Sequence, residues 1–236
     1  MKLEFDIHTH TLASGHAYST LTENVKRACE LGLKAIGISD HAPEMPGSAS
    51  TLYFYNVPVI PKEIDGVEIL MGCELNIMDT DGTVDLAEGL IKRLAYTIAS
   101  FHPTCIDPMD KESSTLAIIN TIRNPLVNII GHPGDTRYPL DYIAVVNAAI
   151  EHSTLLEINE NTLNPFAPRT PDMEVLKGIV SECRKRDYPL IMGSDAHFHT
   201  AVGNMPNATR LLKELDFPDE LIINYSYDRL KEFLKK

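Results

Sequence analysis

The chain has 236 residues, 44% of them hydrophobic, a formal net charge of -12 and four cysteines. That length suffices for one sizeable core, and the acidity disfavours sequence-independent binding to long nucleic acid, which needs a broad cationic face. No run approaches the roughly 18 apolar residues of a membrane span, and Cys29, Cys73, Cys105 and Cys183 show no CxxC spacing, so a zinc-thiolate site or redox dithiol is not indicated.

The first apolar run, 3–7, is interrupted by Glu4 and Asp6 and leads straight into His8. It reads as a strand rather than a secretory leader, and a cytoplasmic protein with reduced thiols is expected. The strand opens the motif Asp6-Ile7-His8-Thr9-His10, with His16 further on. If the strand continues, two histidines one residue apart point the same way and can hold one cation. A pair of solvated loop histidines is the plain alternative for this motif alone.

Thr22 is placed to cap a helix through Val25, Ala28 and Leu31 that Gly32 ends. A second strand, 35–39, reaches Ser39-Asp40-His41; here Asp40 is expected to support a neighbouring group, because adjacent side chains diverge. The stretch 42–61, rich in Pro, Gly and Ser, reads as a long loop. The third strand, 67–73, ends at Glu74, whose two oxygens can bridge two cations; an exposed rim acid is the alternative.

Strands 96–101 and 127–130 end in Ser100-Phe101-His102-Pro103 and Gly131-His132-Pro133-Gly134. The proline after each histidine favours an extended backbone at the histidine and stops the strand. Helices are predicted over 112–123 and 141–152, the second ending at His152, which the helix dipole explains as a solvated group. Strand 155–158 leads through Asn159, a weak rim candidate, into a loop of about 160–171 that carries Arg169. Arg169 is suited to fork onto a phosphate, with a solvated loop arginine as the alternative. A helix over 173–186 precedes strand 190–193 and the motif Ser194-Asp195-Ala196-His197; His199 competes with His197 from further along the loop. Ser226 caps a last helix to 234.

Strand–helix alternation repeated about seven times predicts a parallel β/α barrel, with an open doubly wound sheet as the alternative. No GxGxxG or GxxxxGK[ST] follows any strand, so nucleotide-loop readings lose support. In a parallel barrel all strand ends share one face. Six of the seven predicted strands end in a metal-capable side chain. Imidazole with carboxylate suits Zn, Mn or Fe rather than Mg or Ca.

These motifs resemble the PHP family, named for polymerase and histidinol phosphatase, in order and spacing across nearly the whole chain. The segment 13–21 and Gly131-His132-Pro133-Gly134 are most similar to its YcdX-like branch. The resemblance implies a distorted seven-stranded β/α (TIM-like) barrel, the PHP fold, as one domain over 1–236. It also implies a trinuclear site loaded with three divalent ions, zinc or alternatively manganese or iron. Carried across, His8, His10, Glu74 and Asp195 would hold the first ion. His102 and His132, sharing Glu74, would hold the second, and His16, His41 and His197 the third.

The implied activity is hydrolysis of a small phosphate monoester by metal-activated hydroxide, with no catalytic residue beyond the metal ligands. Narrower alternatives are a histidinol-phosphate phosphatase or a nuclease on short oligonucleotides. A non-catalytic metal-binding module would be expected to lack ligands, and an amidohydrolase would carry a lysine where His102 stands. No membrane partner is expected, and the oligomeric state is left open.

Overall fold

The computed structural model describes residues 1–235. The strands are β1 (Phe5–Asp6), β2 (Ala35–Ile38), β3 (Glu63–Ile64), β4 (Val67–Asn76), β5 (Tyr96–Ser100), β6 (Ile129–Ile130), β7 (Leu155–Asn159) and β8 (Leu190–Gly193). The helices are α1 (Leu21–Leu31), α2 (Thr51–Tyr55), α3 (Glu88–Ile91), α4 (Lys111–Ile122), α5 (Tyr142–His152), α6 (Met173–Lys185), α7 (Pro206–Glu214) and α8 (Tyr227–Phe233).

Seven strands run parallel in the order β1-β2-β4-β5-β6-β7-β8, with β3 standing aside as an antiparallel partner of β4. The ends meet: Thr9, just past β1, bridges to Ala196, just past β8, and His10 N–H donates to the Ala196 carbonyl at 2.9 Å. The expected seven-stranded β/α barrel therefore forms, and this closure excludes the open doubly wound sheet.

The strands carry two apolar layers. Outward residues such as Leu156 and Ile158 of β7, Met192 of β8 and Ala99 of β5 join one large cluster with α4, α5 and α6. Inward residues Phe5, Ile98, Ile129, Leu155 and Ile191 form a plug inside the barrel, sealed at its base by Ile223, Tyr227 and Leu230. Above the plug the inward positions change character. Gly72, Gly193, Ser100 and Glu157 come next, two residues further along their strands, as a period of two requires. A Cβ on Gly193 would lie 1.8 Å from Glu157 Oε1, so that glycine leaves room for a buried carboxylate.

Local signals explain most helix starts. Asp110, Asp141, Asp172 and Ser226 each accept a hydrogen bond from a backbone N–H in the first turn of the following helix. Gly32 closes α1 in the left-handed region with φ 64. Three expectations need correction. The cap of α1 is Thr20 rather than Thr22, because Glu23 completes a capping box only with Thr20. The stretch 42–61 is not wholly loop, since α2 forms within it, and the β3–β4 hairpin and the short α3 and α7 escaped the periodicity reading. The backbone at His132 is not extended; its φ is 31, and its N–H turns inward to donate to Glu157 Oε2 at 2.8 Å. No helix among the described residues is long and apolar enough to cross a membrane.

Candidate metal centre

Glu74 is the hub. It lies within β4, completely buried, and its register is fixed by a parallel bridge to His41. Cys73 and Leu75 face the outer apolar layer, so alternation turns Glu74 into the barrel mouth. Its Oε2 lies 3.4 Å from His8 Nε2, 3.4 Å from His10 Nε2 and 3.0 Å from His41 Nδ1. Its Oε1 lies 3.3 Å from His102 Nε2 and 2.9 Å from His132 Nε2. Asp195 closes the Oε2 side, with Oδ1 3.2 Å from His10 Nε2 and 3.7 Å from His8 Nε2. The carboxylate thus faces one set of imidazoles with each oxygen.

His16 and His197 continue the cluster outward. Their rings stand 4.8 Å apart, with His16 5.0 Å from His41 and His197 4.4 Å from His10. All nine residues that the sequence motifs single out converge on one mouth. His199 does not join them; its Nδ1 pairs with Ser19 Oγ at 3.2 Å. His152 is exposed at the end of α5, as expected.

Apart from the hydrogen bond between His132 Nε2 and Glu74 Oε1, the spacing is that of ligands around a cation. His8 Nε2, His10 Nε2, His41 Nδ1, His102 Nε2, Glu74 Oε2 and Asp195 Oδ1 are all buried without a hydrogen-bond partner. Buried polar atoms are nearly always paired, and an ion is one of the few things that explains a cluster of exceptions. Two ligand atoms about 2.0–2.1 Å from a tetrahedral ion lie about 3.3 Å apart, which matches most of these separations. Three groups of ligand atoms each fall within 4.8 Å: His8, His10 and Glu74; His41, Glu74 and His102; His10, His41 and His197. These groups share members, so the sets are less separate than the resemblance implies. The donor set fits divalent cations that accept nitrogen and oxygen.

A second layer fixes which nitrogen five of the seven histidines offer. His8 Nδ1–H donates to Glu157 Oε1 at 2.6 Å, and His102 Nδ1–H to Asn76 Oδ1 at 2.7 Å. His10 Nδ1–H donates to Ser14 Oγ at 3.1 Å, and that hydroxyl donates to Asp40 Oδ1 at 2.7 Å. Asp40 also accepts from Thr11 N–H, Thr11 Oγ1 and Tyr53 OH. Its expected supporting role therefore has a definite partner, the loop that carries His10. His16 and His197 donate from Nδ1 to the carbonyls of Ser14 and Asp195. In each case Nδ1 is committed to a protein acceptor and Nε2 is the nitrogen that faces the mouth, the arrangement that metal-binding imidazoles require.

Charge follows geometry. Burial, then neighbouring His197 and His41, push His10 well below the ordinary imidazole range, and burial takes His102 down to about 3. Burial and then Arg169 lower His132 as well. These rings are neutral donors at neutral pH. Burial pulls His8 down too, but the carboxylates of Glu157, Glu74 and Asp195 outweigh it and hold His8 well above its usual value. Burial opposes ionisation of Glu74 and Asp195, yet the surrounding histidines, and Arg169 beside Asp195, keep both well below the carboxylate range.

Arg169 stands in the loop after β7, as expected, at the rim of the mouth. Its Nη1 donates to Asp195 Oδ2 at 2.6 Å, so part of its fork is already committed inside the site. Asn159 bonds Glu157 Oε2 at 3.0 Å and accepts from Thr162 N–H at 2.8 Å, serving both the site and its turn. Two residues the motif reading passed over matter here. Glu157 was hidden in an apolar run, although a lone acid at an inward position of a buried strand is itself a signal. Ser14 ends a 3-10 turn, Leu12–Ser14, and lies inside the segment 13–21 that carries the resemblance, but no role marked it there. At His132 and Asp195 the non-glycine backbone has φ 31 and 54, a conformation that costs about 1–3 kcal/mol and concentrates at functional sites.

A closed parallel barrel that gathers nine side chains of metal-ligating type at one mouth has a cluster that could hold metal ions at the face where such barrels work. The chain belongs to the PHP domain family, whose model matches residues 6–215. A probable phosphatase of Caldicellulosiruptor saccharolyticus is 46% identical over 235 residues, spanning 100% of this chain and 97% of that protein. A probable phosphatase of Caldanaerobacter subterraneus subsp. tengcongensis is 44% identical over 237 residues, spanning 100% of this chain and 92% of that protein. Among solved structures, the fold resembles histidinol phosphate phosphatase of Lactococcus lactis, complexed with zinc, L-histidinol and phosphate. That match has a TM-score of 0.63 at 18% identity and covers 92% of this chain and 95% of the other.

Proposed function

We propose that this chain is a metal-dependent phosphatase that hydrolyses small phosphate monoesters, acting as one PHP domain throughout its length. The observation that carries the reading is Glu74, whose two oxygens each face a separate set of imidazoles among buried, unpartnered ligand atoms. The names of the relatives, probable phosphatases aligned over the whole chain, point the same way.

In this reading His8, His10, Glu74 and Asp195 hold one divalent ion, His102 and His132 with Glu74 a second, and His16, His41 and His197 a third. Zinc is the first choice for these donors, with manganese or iron as alternates. Bound there, such ions supply Lewis acidity toward phosphate oxygens and activate water as the attacking nucleophile. The protein's own contribution is placement. Glu157, Asn76 and Ser14 orient the imidazoles, Glu74 and Asp195 stay ionised, and Arg169 holds Asp195 while lining the cavity above. The reading requires no serine or cysteine nucleophile, and the Ser14 hydroxyl that meets His10 is committed to Asp40.

The test is hydrolysis of an aryl phosphate by purified protein as isolated, after chelation, and after return of zinc or manganese. Chelation is expected to abolish turnover and metal to restore it. Full activity after complete metal removal would reject the reading. Adding histidinol phosphate and mononucleotides to the panel separates the narrower phosphatase and nuclease alternatives.

A further inference from the structure

Above the cluster lies a cavity of about 580 Å³, floored by His16, His102 and His197. Its size is that of a small-molecule site. In a chain of net charge -12, no carboxylate is among its lining residues. Met45, Pro46, Pro103 and Pro168 supply the apolar wall, and Arg137 and Arg169 supply the charge.

The two arginines differ in what holds them. Arg169 is tied to Asp195, inside the ligand cluster. Arg137 is tied to Asp135, a buried residue outside the cluster, through Nε at 3.0 Å and Nη2 at 2.6 Å. The loops that carry them are joined, with Asp135 bridging to Pro171 and Thr136 N–H donating to the Thr170 carbonyl at 3.0 Å. Asp135 therefore grips one edge of the Arg137 guanidinium from behind. Nη1, on the other edge, is in neither bond, and about a third of the side chain is exposed toward the cavity. A guanidinium offers five N–H donors and no acceptor, so whatever meets that edge must bring lone pairs, best of all a planar anion.

We propose that Arg137 recognises a second anionic group on the organic part of the substrate, so that the preferred substrates are small phosphate monoesters bearing a carboxylate or a second phosphate. This rests on the phosphatase reading for the chemistry but not for the binding preference. Asp135 cancels part of the Arg137 charge, so the gain comes from one or two charge-assisted hydrogen bonds, roughly 10- to 100-fold in affinity.

The experiment measures dissociation constants of the metal-loaded full chain for non-hydrolysable phosphonates, by calorimetry. Propylphosphonate is the neutral-tailed ligand, 3-phosphonopropionate carries a carboxylate, and propane-1,3-bisphosphonate carries a second phosphonate. At least one anionic-tailed ligand is expected to bind tenfold or more tighter than propylphosphonate, and the two arms show which anion fits. In Arg137→Gln that ratio is expected to fall to near one, and in Arg137→Lys to an intermediate value. Equal binding of all three ligands by the wild-type chain overturns the proposal, as does a folded Arg137→Gln protein that keeps the wild-type ratio. If Arg137→Gln fails to fold, the wild-type and Arg137→Lys ratios decide, and an Arg137→Lys ratio equal to wild type counts against the fork. Failure of the phosphatase reading would appear separately, as absent turnover of esters by a protein that still shows the binding preference.

Discussion

Glu74→Gln is expected to lower turnover of a phosphate ester by at least about 10²–10³, the scale on which losing one preorganised electrostatic group acts. The substitution keeps shape and volume while removing the charge that both halves of the cluster share. Five imidazole nitrogens lie within 3.4 Å of the two Glu74 oxygens, so no other residue can take over both sides. The neutral amide would also turn an NH2 toward one set of histidines, where a lone pair is needed. Metal content by elemental analysis is expected to fall by at least one ion per chain. The thermal unfolding midpoint, read after chelation of both proteins, separates loss of the site from loss of the fold. A Glu74→Gln protein with full metal content and wild-type turnover would remove the hub from the scheme.

Glu157→Gln is the second large effect, and it acts at one remove. The Glu157 carboxylate accepts from three donors, His8 Nδ1–H at 2.6 Å, His132 N–H at 2.8 Å and Asn159 Nδ2 at 3.0 Å. Glutamine has one acceptor oxygen, so its NH2 must face either His8 or the His132 N–H, donor against donor. The mismatch in a buried site costs about 1–3 kcal/mol. It either turns the His8 ring or releases the His132 backbone from its left-handed conformation. Loss of such supporting groups typically costs 10–100-fold in metal affinity, and that range is expected here in a competition titration against a chromogenic chelator. Unchanged affinity would show that Glu157 merely fills space beneath Gly193. Gly193 itself cannot be enlarged to test this, because its Cβ would collide with the Glu157 carboxylate.

Much of the site was legible in the sequence because strand ends are legible. Each ligand motif follows a short β-branched run, and in a parallel barrel the carboxyl ends of such runs meet on one face. The His-Pro pairs located the ends of β5 and β6 for the same reason. What stayed hidden depends on contacts rather than on local pattern. The strand 155–158 reads as one apolar run because its inward Leu155 belongs to the plug while its outward Leu156 and Ile158 face the helices. That run masks the period of two that points Glu157 inward. The left-handed backbone at His132 answers to Glu157, a residue 25 positions away, and no dipeptide preference foretells it. Thr20 and Thr22 are both plausible caps by residue type, and only the partner at Glu23 distinguishes them. The pairing of Arg169 with Asp195 was not legible, because nothing in its own loop reveals Asp195 across the mouth.

The most direct test is crystallography of the zinc- or manganese-loaded protein with anomalous scattering recorded at the metal's absorption edge. The expected map shows up to three strong peaks in the barrel mouth. One should lie within about 2.0–2.3 Å of His8 and His10 nitrogens and another at the same range from His102 and His132, each touching a different oxygen of Glu74. An empty mouth in fully loaded crystals, or peaks confined to the protein surface away from Glu74, would contradict it.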